Sequence, residues 1–585
     1  MSTFDARRKC TATLLATILG ICWSGASVAA DADLKKPGAN IPTVGLQSKP
    51  SGLQVFPPII DLRFGTDSQR IGVQVVDADG STRDITRSVS WKADRGLVVE
   101  DDFVRISPSA PSVSGVLRGE WNGEQIQIPF QSGAGDSQRE LSFRNDILPV
   151  LTKTGCNSGK CHGSASGKDG FRLSLYGFDP AGDYFRLTRE LSGRRISLSN
   201  PESCLLINKA IGEVPHTGGN PIEVGDANYL KIVKWIADGA KADVADSAVP
   251  EGIEVFPKRA VLAQPGTSQQ MIVMARYSDG STRDVTEQAV FISNNDAAAT
   301  AGVEGSVHAA GPGTAFILAR FDQYTSGTDI VVRSGETYPG LDFKANNYID
   351  TLAAARWSDL HILPSDVASD EVFLRRVYLD TIGLLPTPEQ RTAFLQDTSP
   401  NKRDRLVDEL VSSKSFLDLW TMQLAELLQV RRANGLSEKG LSLYDDWLRD
   451  QVHSGVPVNE LVRQLIPASG STFENPATSY YQTETTPQLL AENIAQAFLG
   501  TRIQCAQCHN HPFDRWTMDD YYGFAAFVSQ VGYKQGKDAR EITVYDLGEG
   551  SLEHPVEGRV VRPKFLGGEL AAEEALDGDY RTALA

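Results

Sequence analysis

The segment DGSTRDIT at residues 79–86 returns with one change as DGSTRDVT at residues 279–286, and this repeat decides the fold of the first half of the chain. A second pair of segments keeps the same spacing, with GLQVFP at 52–57 and GIEVFP at 252–257. In both copies apolar and polar residues alternate up to the Asp-Gly pair, which is the pattern of a β-hairpin. The repeat predicts two small β-sandwiches, at 50–133 and 250–334.

Helical patterns occupy most of the remaining sequence. Residues 140–245 begin with an apolar run that leads into Cys156, and they close on YLKIVKWIADGA at 229–240. That last pattern predicts a helix stopped by Gly239. Its predicted apolar face consists of Leu230, Val233 and Ile236.

A larger helical region is predicted at 340–535, where Thr387 and Pro388 cap and start one helix. Residues 536–585 have β-like and loop character and form a C-terminal segment. The predicted fold class is therefore multidomain α and β. It has two sandwiches, an all-α domain between them at 140–245, and a larger all-α domain.

The charge and the N-terminus restrict the setting. The chain has 585 residues and a formal net charge of −17, and it has no basic stripe, so we expect no nucleic-acid partner. RRK at 7–9, an apolar run at 13–23 and small residues at 27–30 predict a signal peptide over 1–30. No apolar stretch is long enough to cross a bilayer. We expect an exported protein, periplasmic or on the cell surface, without a membrane span.

Two cysteine motifs carry the functional prediction. Cys505, Cys508 and His509 form the CxxCH pattern of c-type haem attachment, in which two thiols bind the haem vinyl groups and the histidine binds the iron. Cys156, Cys161 and His162 repeat the arrangement with four residues between the thiols. The sequence therefore predicts two covalent haem c groups.

The sixth iron ligand differs between the two motifs. His216 is the predicted distal ligand of the first, since residues 140–245 contain no methionine; a hydrogen-bonded loop histidine is the alternative. The second motif has several candidates: Met518, His361, His453, His511 and His554. A zinc or iron site made by Cys505, Cys508, His509 and His511 stays open as an alternative, as does a Cys505–Cys508 disulfide. Cys204 is predicted to be a core residue.

Several longer segments resemble known families. Residues 155–163, GFRLSLYGFD at 170–179 and Pro215-His216 resemble the planctomycete cytochrome c-like family. FLRRVYLD at 373–380, GLLPT at 383–387 and CAQCHNHPFDRW at 505–516 resemble its companion helical domain of unknown function. The DGSTRD repeats resemble bacterial Ig-like (group 2) modules. The resemblance implies secreted or surface proteins with haem. It also implies a further C-terminal domain, so we expect 536–585 to be the end of a shortened or truncated member.

Together these patterns predict an electron carrier or redox sensor rather than an enzyme, and we identify no catalytic residues. A haem- or metal-dependent extracellular enzyme is one alternative. A surface adhesion or structural protein, whose Cys/His motifs bind metal or form disulfides, is the other. The redox partner is unknown, and the Ig-like modules are predicted contacts for surface polysaccharide or protein.

Overall fold

The computed structural model describes residues 52–93, 96–164, 166–432, 436–511, 514–576 and 578–585. The predicted signal peptide lies outside these residues. The described chain forms two compact units, one built from residues up to 364 and the other from residues 365–511 and 516–585. Both helices and several β-sheets are present, which confirms a multidomain α and β architecture. None of the described helices is long and apolar enough to cross a membrane.

The first β module (residues 53–132) has three sheets around one apolar core. Their strand orders are β1-β4-β5, β2-β10-β9-β6 and β3-β8-β7. The last strand pairs antiparallel with β9 and parallel with β2, so it joins the start of the module to its end. The strands are β1 (Leu53–Phe56), β2 (Ile60–Leu62), β3 (Ser68–Arg70), β4 (Gly72–Val76), β5 (Thr82–Asp84), β6 (Ser90–Lys92), β7 (Leu97–Glu100), β8 (Phe103–Ile106), β9 (Val113–Trp121) and β10 (Glu124–Ser132).

The second β module (residues 250–332) repeats this topology strand for strand, as the sequence repeat requires. Its sheets have the orders β11-β14-β15, β12-β20-β19-β16 and β13-β18-β17. The strands are β11 (Pro250–Phe256), β12 (Arg259–Leu262), β13 (Ser268–Gln270), β14 (Ile272–Tyr277), β15 (Thr282–Asp284), β16 (Val290–Ser293), β17 (Ala299–Ala301), β18 (Ser306–Ala309), β19 (Gly313–Phe321) and β20 (Tyr324–Val332).

The two β modules bind each other through equivalent surfaces. Asp84 accepts a hydrogen bond from the backbone N–H of Gln270 at 2.9 Å. Its counterpart Asp284 accepts one from the backbone N–H of Arg70 at 2.5 Å. The rings of Phe56 and Phe256, which are also related by the repeat, stack with their centroids 5.5 Å apart. These contacts exchange under the repeat, so the pairing has a pseudo-two-fold axis. The ion pairs Arg333–Asp79 at 3.1 Å and Arg63–Asp279 at 3.6 Å use equivalent aspartates, but their arginines come from positions that the repeat does not relate.

A helical segment (residues 143–237) lies between the two modules in the chain. A π-helical turn at Phe143–Ile147 precedes its helices, which are Leu148–Lys153, Pro180–Thr188, Leu205–Ala210 and Ala227–Ala237. Their shared core is apolar and includes Phe143, Ile147, Leu151, Leu173, Ile207, Ile232 and Trp235. The ion pair Arg144–Asp322 at 2.8 Å binds the segment to the second β module. Asn145 also donates to the carbonyl of Ala248 at 2.7 Å, two residues before that module begins.

The buried face of the helix Ala227–Ala237 differs from the prediction. Leu230 is 56% exposed, so its predicted place in the core is wrong. The residues that are buried are Tyr229, Ile232, Trp235 and Ile236. Trp235 lies 5.5 Å from Phe143, ring to ring, and its large apolar area turns the helix toward the core on that side. The predicted stop is confirmed, because Gly239 follows the helix with a φ of +100° that favours glycine.

The helical unit (residues 370–584) contains most of the remaining elements. Its helices are Asp370–Ile382, Pro388–Gln396, Lys402–Val411, Lys414–Leu427, Glu438–His453, Val458–Leu465, Pro487–Leu499, Met518–Ala526 and Tyr580–Leu584. Its strands are Gly470–Ser471, Val531–Gln535, Ile542–Asp546, Leu552–Glu553 and Val560–Val561. Short 3-10 turns cover Pro476–Gln482, Gln504–Gln507 and Glu573–Leu576. The predicted cap at Thr387 is confirmed, since it forms a reciprocal capping box with Gln390.

The unit boundaries differ from the predicted domain limits at both ends. The predicted limit at 535/536 falls between Val531–Gln535 and Ile542–Asp546, which pair as a hairpin. Beyond it, Arg581 donates to the Ala468 carbonyl at 3.0 Å, so the C-terminal segment is part of the helical unit. The helix Tyr348–Leu360 belongs instead to the first unit, where Arg333 donates to the Asp359 carbonyl at 2.9 Å. Such long-range polar contacts leave no periodic signal in the sequence.

Candidate functional site

The first cysteine motif forms a closed loop directly after the helix Leu148–Lys153. The His162 backbone N–H donates to the Cys156 carbonyl at 3.0 Å, which brings the ends of the motif together despite its four intervening residues. Gly155 begins the loop with a φ of +78°. Gly163 ends it against the Asn157 carbonyl, where a Cβ atom would lie 1.9 Å from the oxygen. The longer spacing is thus absorbed by a backbone turn that requires glycine.

Cys156 and His162 both line one cavity, and Cys161 does not. Cys156 is half-buried, and its Sγ lies 3.3 Å from Thr154 Oγ1. Burial raises the pKa of this thiol. Cys161 is half-buried outside the cavity lining that the described residues form. Both thiols are free of disulfide bonds.

His162 is held in the orientation that metal-binding histidines adopt. Its Nδ1 lies 2.9 Å from the Phe171 carbonyl oxygen, and a hydrogen bond there leaves Nε2 as the ligating nitrogen. Burial lowers the pKa of His162. The lowered pKa favours the neutral imidazole, which is the form that binds a metal ion.

His216 lies opposite His162, as its predicted role as distal ligand requires. The two imidazole rings are nearly parallel, with an interplanar angle of 9° and centroids 6.0 Å apart. With metal–nitrogen bonds of about 2.0 Å, two imidazoles on opposite sides of one ion have centroids about 6 Å apart. Among the described residues, the buried Nδ1 of His216 has no hydrogen-bond partner. The separation of the two ring centroids therefore matches that of two imidazoles that share one metal ion.

The cavity around these residues has a volume of about 450 Å³, within the range of about 300–1,000 Å³ that is typical of cofactor pockets. Its walls are largely apolar, with Leu151, Leu173, Leu187, Leu205, Leu206, Ile222 and Ile232. Such walls suit the faces of a porphyrin. A haem also carries two propionates, and basic side chains line the same cavity: Lys168, Arg194, Arg195 and Lys209.

Arg195 and Phe171 support the site and were not predicted from the sequence. The Arg195 guanidinium lies 4.4 Å from the Phe171 ring centroid. It also donates to the carbonyls of Glu190 at 2.8 Å and Gly170 at 3.1 Å. These bonds hold the segment that contains Phe171, whose carbonyl orients His162. Phe171 and Arg195 are 24 positions apart, and no sequence motif joins them. The one available signal for a role of Phe171 was its place in the GFR segment at 170–172.

The second cysteine motif is a short 3-10 turn, Gln504–Gln507, on the surface of the helical unit. Cys505 and Cys508 are exposed and free of disulfide bonds. His509 Nδ1 lies 2.8 Å from the neighbouring Asn510 carbonyl oxygen. The Asn510 side chain accepts a hydrogen bond from the Met518 N–H at 3.0 Å, which ties the motif to the start of the helix Met518–Ala526.

The candidate sixth ligands of the second motif belong to different elements, and Met518 is the one that the Asn510 hydrogen bond holds beside the motif. Met518 is buried, and His554 is buried with its Nδ1 accepting from the Glu557 N–H at 3.2 Å. His361 belongs to the first unit and stacks on Tyr338 at 4.5 Å, whereas His453 ends the helix Glu438–His453. The His511 N–H donates to the Trp516 carbonyl at 2.7 Å.

The alternative zinc or iron site at the second motif is likewise not assembled. Within the part of the chain that the structure describes, no three His, Cys, Asp or Glu side chains form a group that could hold a metal ion. Cys505, Cys508, His509 and His511 therefore do not form such a group in the described geometry.

The helical unit supplies the clearest link to known proteins. Residues 348–533 match the family model PSCyt2, described as a protein of unknown function (DUF1549). The match covers the second cysteine motif and excludes the first. It confirms, for this region, the resemblance to a domain of unknown function. The cytochrome c-like and Ig-like resemblances stay predictions.

Comparisons over the whole chain give little more. No curated protein matches it. Two solved structures of surface layer protein SbsC are similar over parts of the chain. Domains 1-6 have 9% identity and a TM-score of 0.14, covering 49% of this chain and 28% of that one. Domains 4-9 have 10% identity and a TM-score of 0.14, and the match covers 50% of this chain and 33% of that one. This chain thus spans a third or less of each, and such low scores carry no argument about its fold.

Proposed function

We propose that this protein is an exported c-type haem protein, periplasmic or on the cell surface, that transfers electrons or senses redox state. One observation carries the proposal: His162 and His216 lie with parallel rings 6.0 Å apart across a cavity that Cys156 also lines. His162 and His216 would both bind the iron of a haem held there, and such a site would suit electron transfer better than substrate binding.

The rest of the first site supports the same cofactor. Cys156 lines the cavity and would attach the haem, and His162 and His216 would bind its iron. Cys161, which lies outside the cavity lining, is the proposed second attachment thiol. When bound, haem supplies reversible one-electron chemistry. The chain contributes the apolar walls that exclude water and the Phe171 carbonyl that orients His162. The exclusion of water changes the reduction potential of the haem. A histidine ligand in place of methionine lowers that potential.

The second motif is proposed to attach a second haem through Cys505 and Cys508, with His509 as its iron ligand. The exposure of both thiols makes them accessible to an attachment system. Zinc or iron bound by Cys505, Cys508, His509 and His511 is the competing proposal for this motif. The Ig-like identity of the two β modules, and their contact with surface polysaccharide or protein, belong to the same set of proposals.

Haem content tests the function directly. The full chain is expressed with a cytochrome c maturation system, and covalent haem is measured by in-gel staining and by the α-band of the pyridine haemochrome. We expect staining in the wild-type chain. The variant C156A/C161A loses the haem of the first site, and C505A/C508A loses that of the second. Each variant retains the other site's haem.

Cys204→Ala is the matched control, because Cys204 is a cysteine of the same segment that is buried in the core at 3% exposure. It retains full haem staining. A folded, colourless wild-type protein made beside a correctly matured reference cytochrome would rule out the haem proposal. Stoichiometric zinc in that protein, lost in C505A/C508A, would favour the metal-site alternative.

A further inference from the structure

The rim of the first cavity carries a local charge opposite to that of the chain. Lys168, Arg194 and Lys209 line it together with one carboxylate, Asp169. Arg195 also lines it, but this guanidinium is neutralised by Glu190 at 2.9 Å. Three cations against one anion leave the rim at +2, whereas the chain as a whole has a formal net charge of −17.

Among the described residues, no carboxylate forms an ion pair with Lys168, Arg194 or Lys209. Arg194 is exposed, and Lys168 and Lys209 are half-buried. Beside them lies Leu191, an apolar side chain that is 59% exposed at the same rim. An exposed apolar residue among unpaired cations is the composition of a surface that becomes buried against a partner of opposite charge.

We infer that this rim, formed by Lys168, Leu191, Arg194 and Lys209, is the docking surface for an acidic one-electron carrier protein. The inference rests on the proposed function, since the cavity below the rim is the proposed haem site. In the docked complex one electron passes between the two cofactors, so one protein is oxidised as the other is reduced. No bond forms and no proton moves.

The local charge of the rim and the total charge of the chain predict opposite effects on the rate at which an anionic reagent reacts at the cavity. A negative chain repels anionic reagents, and a positive rim attracts them. At an ionic strength of about 0.1 M charges beyond about 10 Å are largely screened, so the rim decides the encounter at the cavity. Raising the ionic strength to about 1 M shortens this length to about 3 Å and removes the attraction of the rim as well.

Two small oxidants therefore test the rim. The reduced protein is mixed with ferricyanide, an anion, or with tris(phenanthroline)cobalt(III), a cation, and each accepts one electron. Between about 0.1 and about 1 M salt, we expect the ferricyanide rate to fall and the cobalt rate to rise. The variant K168E/K209E reverses both slopes and lowers the ferricyanide rate by about tenfold at the lower salt concentration.

The control R87E/K92E makes the same change in net charge on the first β module, at two exposed side chains that line no part of the cavity. It keeps the wild-type slopes. Arg194→Glu, at an exposed position, gives a second rim variant with a smaller effect of the same sign. Wild-type slopes opposite to those expected, or equal effects of the rim and control variants, would overturn the inference.

Two further readouts separate the possible failures. If K168E/K209E keeps its haem, with or without a shifted spectrum, and has the wild-type salt slopes, the docking inference is wrong. If K168E/K209E loses its haem, Arg194→Glu replaces it in the same measurement, and wild-type slopes in Arg194→Glu then contradict the docking inference. If the wild-type protein carries no haem, the proposed function fails. Calorimetry then still tests the rim, because a polyglutamate peptide binds the wild-type chain and the R87E/K92E control but not K168E/K209E. An absence of that binding in the wild-type chain contradicts the docking surface itself.

Discussion

His216 is the residue on which the first site depends most directly, because it is the distal partner of His162 at 6.0 Å. Replacing it by methionine should raise the reduction potential of the haem-loaded protein, since methionine ligation favours the reduced iron. Replacing it by alanine should open that side of the iron to carbon monoxide. Redox titration and carbon monoxide difference spectra measure the two effects. His308→Met, at an exposed position on β18, should leave both unchanged.

Asp183 should make the stability of the protein depend on pH. It is fully buried and accepts hydrogen bonds from the Ser174 N–H at 2.6 Å and Oγ–H at 2.5 Å. Burial raises its pKa from 3.8 to about 6. Between these values the folded chain holds a proton that the unfolded chain has lost, so the free energy of unfolding falls as the pH rises from about 4 to about 6.

The variant Asp183→Asn should remove this fall, which is on the order of 2–3 kcal/mol for a shift of this size. Urea denaturation of the full chain at a series of pH values measures it. Asp77 is a suitable comparison, because an arginine hydrogen bond lowers its pKa instead. Asp77→Asn should therefore leave the fall between pH 4 and 6 in place. An unchanged pH profile in D183N would show that Asp183 is not its source.

At the scale of elements, the helix Ala227–Ala237 has some apolar residues that pack into the core and others that are exposed. Ile236 is fully buried, and Leu230 is 56% exposed. Ile236→Ala should lower the free energy of unfolding by about 2–5 kcal/mol, and Leu230→Ala should change it by less than about 0.5 kcal/mol. Denaturant titrations compare the two. Equal losses would mean that the helix buries the face that the sequence pattern indicated.

The same helix shows how far elements can be predicted from sequence. Its stop at Gly239 follows from local chemistry, as does the cap at Thr387. Which face is buried depends on Trp235 meeting Phe143 across the core, and a single helix contains no information about that neighbour. The candidate site shows the same division. Cys156, His162 and His216 stand in recognisable motifs, whereas the cationic rim combines residues of two loops with Lys209 of the helix Leu205–Ala210.

The whole first unit depends on the reciprocal pairing of its two β modules. The rings of Phe56 and Phe256 stack at 5.5 Å across that interface. A double-mutant cycle with Phe56→Ala and Phe256→Ala should give a coupling energy of about 0.5–1.5 kcal/mol, since the single changes each remove the same contact. Chemical unfolding of the four proteins measures it. Strict additivity would mean that the contact between these two rings does not stabilise the pairing of the modules.

This pairing also sets an order of events during synthesis. The faces that cover each other are separated by 200 residues of chain, as Asp84 and Asp284 illustrate. At about 5–20 residues per second, the ribosome needs about 10–40 s to produce the second face after the first. Throughout that interval the ring of Phe56 and the neighbouring polar groups have no partner. The growing chain is therefore expected to need a chaperone while it waits, and a chain halted before residue 250 to associate with itself.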